Sequence, residues 1–286
     1  LAASFRSTDF ETEVDMTFES SAIVTPNYAP CRYGKSKLLF RGPRQSLEQP
    51  FIAALGGSET YGEWVHNPWP ELLSDALNMP VVNFGCLNAG LDVFLHEPHL
   101  QDVLAKAQMC VVQLLGPETM SNRFYAVHPR RNNRFLRASK LMRSVFQGVD
   151  FDQFNFIPHM LDTLEREAPD GFESLSRELQ VAWVARMTRL LKELPGQKVL
   201  LAIEPASLAG ARRSLLTADM IAQVARYSDD VVHVACPATP EKAFSRTEEM
   251  FLAHTQVQNM PDPRLHVDIS KRLAPAVSAV LRPAAQ

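Results

Sequence analysis

The sequence predicts a three-layer α/β fold: a parallel five-stranded sheet in the flavodoxin-like order 2-1-3-4-5, with helices on both faces and an N-terminal extension. Three observations lead there. Short, nearly unbroken apolar runs recur at 51–55, 80–85, 109–115, 198–203 and 231–236, as strands covered on both faces should read. Helix-period stretches lie between them, the pattern of crossovers between parallel strands. The first three runs end at Gly56-Gly57-Ser58, Gly85 and Gly116. Open α/β sheets hold their ligands beyond the carboxyl ends of the strands, where the strand order switches.

Residues 1–50 are weakly patterned, acidic at 9–15 and basic at 32–44, with Gly42-Pro43 as a break. They read as an extension packed on the main domain of 51–286. After the first strand, Trp64, Trp69, Leu72, Leu73 and Leu77 mark a helix interrupted near Asn67-Pro68. Residues 93–107 read as one helix. An insert at about 117–170, rich in Arg, Asn and aromatics, breaks the alternation. From Asp170 a capping-box start leads into a helix with Leu175, Leu179, Trp183, Met187, Leu190 and Leu191 on one face. Further helices are expected at 217–227, 245–254 and 268–281, the last kinked at Pro275.

With 286 residues, 46% hydrophobic, the chain can bury a large core. A net charge of -3 with 21% charged residues argues against a nucleic-acid partner held by bulk charge and against disorder. No apolar run approaches the roughly 20 residues of a membrane span. The first residues do not read as a signal peptide, so a cytoplasmic location is expected, although a chain beginning at Leu1 leaves room for a removed leader. Cys31, Cys86, Cys110 and Cys236 form no CxxC pair, which speaks against a zinc or redox motif and for a reducing compartment. His96 and His99 flank Glu97, but no third ligand lies near, so no metal is expected. Without a Walker sequence or GxGxxG, no nucleotide cofactor is indicated, and no cofactor is expected.

Ser58 therefore stands where a nucleophile belongs, although Gly-Gly-Ser is equally a strand-to-helix turn with Ser58 as its cap. A serine nucleophile needs a base, and the base an orienting carboxylate. His266, with Asp262 on the same stretch before the last helix, is the candidate pair; His254 is the rival base.

These residues resemble the blocks of the SGNH (GDSL-type) hydrolases. Leu55-Gly56-Gly57-Ser58-Glu59-Thr60-Tyr61-Gly62 is similar to the first block, Gly-Asp-Ser-x-Thr-x-Gly. Val82-Asn83-Phe84-Gly85 is similar to the second, 111–119 falls where the third belongs, and Asp262 with His266 falls at the last. The likeness covers roughly 51–281. It implies an SGNH-like esterase or deacylase with Ser58 as nucleophile, His266 as base and Asp262 as orienter. Gly85, with Asn122 or Asn88, would then hold the oxyanion. The chain departs from the pattern at Gly57, which stands for Asp. Gly116-Pro117-Glu118-Thr119 lacks the Asn, and one extra residue separates Asp262 from His266. Over nearly its whole length the chain also resembles a bacterial family of unassigned role, in the runs 40–43, 56–62 and 121–125.

Residues 121–135 carry four arginines and a histidine: Arg123, Arg130, Arg131, Arg134 and His128. Guanidinium forks bind carboxylate, phosphate or sulfate bidentately, so these five are candidates for an anionic substrate group, such as a decorated sugar. Pairing with Glu118, Asp150 or Asp152 is the structural alternative. The expected partner is a small-molecule or carbohydrate ester. The competing reading is an inactive module of the same fold that binds an anionic ligand or glycan.

Overall fold

The computed structural model describes residues 27–204, 214–236 and 263–282. Its strands are β1 (Ile52–Gly56), β2 (Val81–Gly85), β3 (Met109–Gln113), β4 (Tyr125–His128), β5 (Arg131–Ala138), β6 (Gln197–Glu204) and β7 (Asp230–Ala235). Five of them form one sheet in the order β2-β1-β3-β6-β7, with every neighbouring pair parallel. Ranked along the chain, this is the order 2-1-3-4-5, and β1 and β3 flank the switch point.

All five residues of β1, β2 and β3 are buried. The two-residue period of a strand divides them between two cores. Ile52 and Ala54 meet Trp69 and Leu73 of α2 (Trp69–Leu77), and Leu265, Ile269 and Leu273 of the terminal helix α9 (Pro263–Leu281). Ala53 and Leu55 face the opposite layer, with Leu100 and Leu104 of α4 (Pro98–Leu104) and Trp183, Met187 and Leu190 of α7 (Pro169–Glu193). Tyr33, Leu38 and Phe40, upstream of β1, join this second core, where Phe40 stands edge-on to Phe84 at 5.3 Å. The edge strand β7, preceded by α8 (Ala218–Ala225), is mostly half-exposed or exposed.

The insert is built, not a loop. β4 and β5 form an antiparallel hairpin, followed by α5 (Lys140–Val145) and α6 (Ile157–Glu167). A third core of Tyr125, Phe151, Ile157, Leu161, Leu175 and Leu179 lies beneath. Because α7 runs 25 residues, its first half closes this core and its second half lies on the sheet. The alternating segment 150–156 extends the free edge of β5 through a bridge between Arg134 and Phe156.

Three expectations need correction. The helix expected over 93–107 is two: α3 (Leu91–Leu95) ends with His96 as its C-cap, and Pro98 starts α4. His96 and His99 therefore do not share a helix face. The long helix begins at Pro169, where a proline at the first position needs no N–H partner. The last helix begins at Pro263 and continues through Pro275. The helix expected at 245–254 lies outside the described residues. Among the described residues no helix is long and apolar enough to cross a membrane.

Candidate active site at the ends of β1, β2 and β3

Ser58 opens α1 (Ser58–Tyr61), two residues beyond the end of β1. This short helix lies directly on the sheet, and the glycines around it make that possible. A Cβ on Gly56 would strike the side chains of Thr60 and Gln113; one on Gly85 would strike the backbone of Thr60 and Tyr61. Gly62 ends the helix in the left-handed region at φ 77°. Its amide and that of Glu63 both donate to the Ser58 carbonyl, at 2.9 and 3.2 Å. The chain thus folds back and returns Glu63 to the serine five residues before it.

Two groups bear on the Ser58 hydroxyl. Its Oγ accepts the Asn88 amide at 3.1 Å, and the Glu63 carboxylate is near enough for Ser58 to favour its charged form. Burial pushes the Glu63 pKa above its ordinary value; the Ser58 contact opposes that shift and the neighbouring Glu59 charge adds to it.

A polar network beneath fixes the turn. The side-chain oxygen of buried Gln113 accepts from the Gly57 amide at 3.0 Å and from the Thr60 hydroxyl at 2.6 Å. Its Nε2 donates to Glu59 at 2.8 Å. A Cβ on Gly57 would lie 3.1 Å from Leu115 Cδ2 and 3.4 Å from a Glu59 carboxylate oxygen. An Asp there would set a second carboxylate beside the first, a physical reason for Gly57 in this chain.

The remaining predicted residues are placed as follows. The Gly85 amide donates to Asn83 Oδ1 at 2.9 Å, and Asn83 Nδ2 donates to the Thr60 carbonyl at 2.8 Å. Asn122 makes a turn: its Oδ1 accepts the amides of Phe124 and Tyr125, and its Nδ2 donates to the Met120 carbonyl. Asn88 is exposed, at φ 57°, on the loop after β2. His266 is fully buried, and its Nδ1 accepts the Trp69 amide at 3.1 Å. A neutral imidazole accepting at Nδ1 carries its proton on Nε2, whereas a triad base donates from Nδ1 to its carboxylate and accepts at Nε2. Asp262 and His254 lie outside the described residues.

The hairpin closes one side of the site through Asn88. The Asn132 amide donates to the Asn88 carbonyl at 2.8 Å, and Asn133 Nδ2 to Asn88 Oδ1 at 2.9 Å. Asn132 is fully buried; its Oδ1 accepts the Gly90 amide at 2.7 Å and its Nδ2 donates to the His128 carbonyl at 2.8 Å. At the hairpin base, buried Asp92 accepts from the Ser121 amide at 2.8 Å and from Arg186 at 3.0 Å. The anion candidates thus separate. Arg123 pairs with Glu178 at 3.5 Å, Arg134 lies over the Phe156 ring at 5.3 Å, and His128 Nδ1 accepts the amides of Arg130 and Arg131 at 3.2 Å.

Glu63, Gln113 and Asn132 were not found from the sequence. The signal for Glu63 is the glycine before it, since a left-handed Gly62 is what returns the next residue to the start of the helix. No signal short of the strand pairing marks Gln113 or Asn132. Among the described residues no group of His, Cys, Asp and Glu could hold a metal ion.

The fold and site are those of an α/β protein with a serine at the switch point of its sheet. The chain belongs to the family described as a domain of unknown function, DUF6473, whose pattern matches residues 16–281. No curated protein matches it. Among solved structures it is similar to an extracellular lipase from Streptomyces rimosus, at 12% identity and a TM-score of 0.40, covering 81% of this chain and 100% of that one. It is also similar to a structure described as a lipolytic protein of the G-D-S-L family from Desulfitobacterium hafniense DCB-2, at 12% identity and a TM-score of 0.34, covering 79% and 99%.

Proposed function

We propose that the protein is an SGNH-like serine acyl hydrolase acting on a small ester, with Ser58 as its nucleophile and Glu63 as the group that takes the serine proton. One observation carries the reading: the Ser58 hydroxyl, two residues past the end of β1, accepts the Asn88 amide and stands beside the Glu63 carboxylate, whose pKa burial has raised. A carboxylate tuned upward is a better acceptor near neutral pH than an ordinary one.

In this reading Ser58 Oγ bonds to the ester carbonyl carbon as its proton passes to Glu63. The carbonyl oxygen becomes an oxyanion, and Asn88 is the donor assigned to it. The alkoxy group then leaves with the proton from Glu63. Water attacks the acyl-serine by the same route in reverse and restores the hydroxyl. His266, held by Trp69, serves to fix α9 against α2. Ser58→Ala assayed on short acyl esters tests the assignment: hydrolysis should fall to background, and unchanged turnover would remove Ser58 from the mechanism.

A further inference from the structure

We propose that the tip of the β4–β5 hairpin is an anion-binding wall of the Ser58 site, in which Arg130 and Arg131 take a carboxylate, phosphate or sulfate group carried on the part of the substrate that does not react. That this group belongs to the substrate of Ser58 rests on the reading above; the anion site itself rests on the hairpin.

Three observations carry it. The first is attachment. The tip is tied to Asn88 by the Asn132 amide and by the Asn133 side chain, and Asn88 donates its own amide to the Ser58 hydroxyl. One residue therefore separates the hairpin tip from the serine. Asn132, fully buried with Gly90 and His128 as partners, holds the register of this contact.

The second is selection among the basic residues. Arg123 is paired with Glu178, Arg134 is stacked on Phe156, and Arg143 lies 3.6 Å from Asp152. Arg130 and Arg131 are exposed and form no ion pair among the described residues. Their backbone is nonetheless fixed, because His128 Nδ1 accepts both amides. Two consecutive arginines on an anchored turn suit an anion: the backbone is already ordered, and each fork presents parallel donors.

The third is the local field. Residues 121–147 hold seven Lys and Arg and no Asp or Glu, in a chain of net charge -3. A concentrated positive patch on a mildly negative protein draws anions to that edge.

Nuclear magnetic resonance of the arginine Nε–Hε groups tests this on the full chain, with the Arg130→Gln and Arg131→Gln variants assigning the two signals. Titration with inorganic phosphate, sulfate and succinate should move both signals saturably, at least threefold further than that of Arg177 on α7. The double variant should lose the response, and the anion giving the largest shift identifies the group. Shifts that do not saturate, or that match Arg177, mean an adventitious ion only and overturn the proposal. Chemical labelling of Ser58 on the same sample separates the two claims. Moving signals with an unreactive serine retain the anion site and remove the hydrolase reading. Static signals with a reactive serine remove the anion site alone.

Discussion

The guanidinium of Arg41 donates to the Gly62 carbonyl at 2.7 Å, and the same side chain reaches the carbonyls of Val65 and His66 at 2.8 and 2.7 Å. Arg41 is buried and lies over the Tyr28 ring at 5.1 Å. It comes from the segment before β1, yet it satisfies the carbonyls on both sides of Glu63. One planar fork offers more donors, spread wider and fixed in direction, than a lysine ammonium does. Arg41→Lys should therefore cost about 2–3 kcal/mol, since it leaves buried carbonyls without donors. Urea denaturation checks this, and a change below about 0.5 kcal/mol, the range typical of surface substitutions, would show that the loop does not depend on the fork.

Glu63 should be a net cost to stability at neutral pH. Its folded pKa is raised by burial, so between the unfolded value and that raised value the folded state binds more protons than the unfolded one. Stability then falls as pH rises through this window. Glu63→Gln should melt higher than the parent at pH 7 to 8, with the difference vanishing in acid below the ordinary carboxylate range. Thermal melts at several pH values read this directly. A variant that is less stable at pH 8 would contradict the assignment.

In the proposed mechanism the same group sets the pH dependence of turnover. Ester hydrolysis should rise with pH through a midpoint above that of an ordinary glutamate, because in this mechanism only ionised Glu63 takes the serine proton. Glu63→Gln should lower kcat by about 10²–10⁴-fold, the usual contribution of a positioned base. His266→Asn should act chiefly on stability, through the lost partner of the Trp69 amide. If the His266 variant lost turnover at unchanged melting temperature while the Glu63 variant kept it, the roles would be reversed.

Asn132→Ala should loosen the hairpin. It removes the acceptor of the Gly90 amide and the donor to the His128 carbonyl, both from a fully buried side chain. Hydrogen exchange should speed up over residues 125–138 while the strands of the main sheet keep their protection. Equal acceleration throughout would mean the hairpin has no independent opening.

The main sheet was legible because its strands are covered on both faces, and Ile52 through Leu55 or Met109 through Val112 can be nothing but core. Ser58 was legible because Gly56, Gly57 and Gly85 mark where a helix lies on strand ends. Other features were not. The hairpin escaped because its burial is one-sided and irregular, with bulges on either side of Val127. Glu63 escaped because a triad pattern directs attention to a histidine far along the chain, whereas the carboxylate arrives through a local turn. Asn122 looked like an oxyanion donor by position alone; three residues before β4, its side chain instead closes a turn.

The most direct test of the central claim is reaction of the purified protein with a fluorophosphonate, followed by peptide mapping of the adduct. The account predicts a single adduct on Ser58, formed faster as pH rises through the Glu63 titration and strongly slowed in Glu63→Gln. No adduct on the folded protein, or an adduct on another serine with Ser58 unmodified, would contradict it.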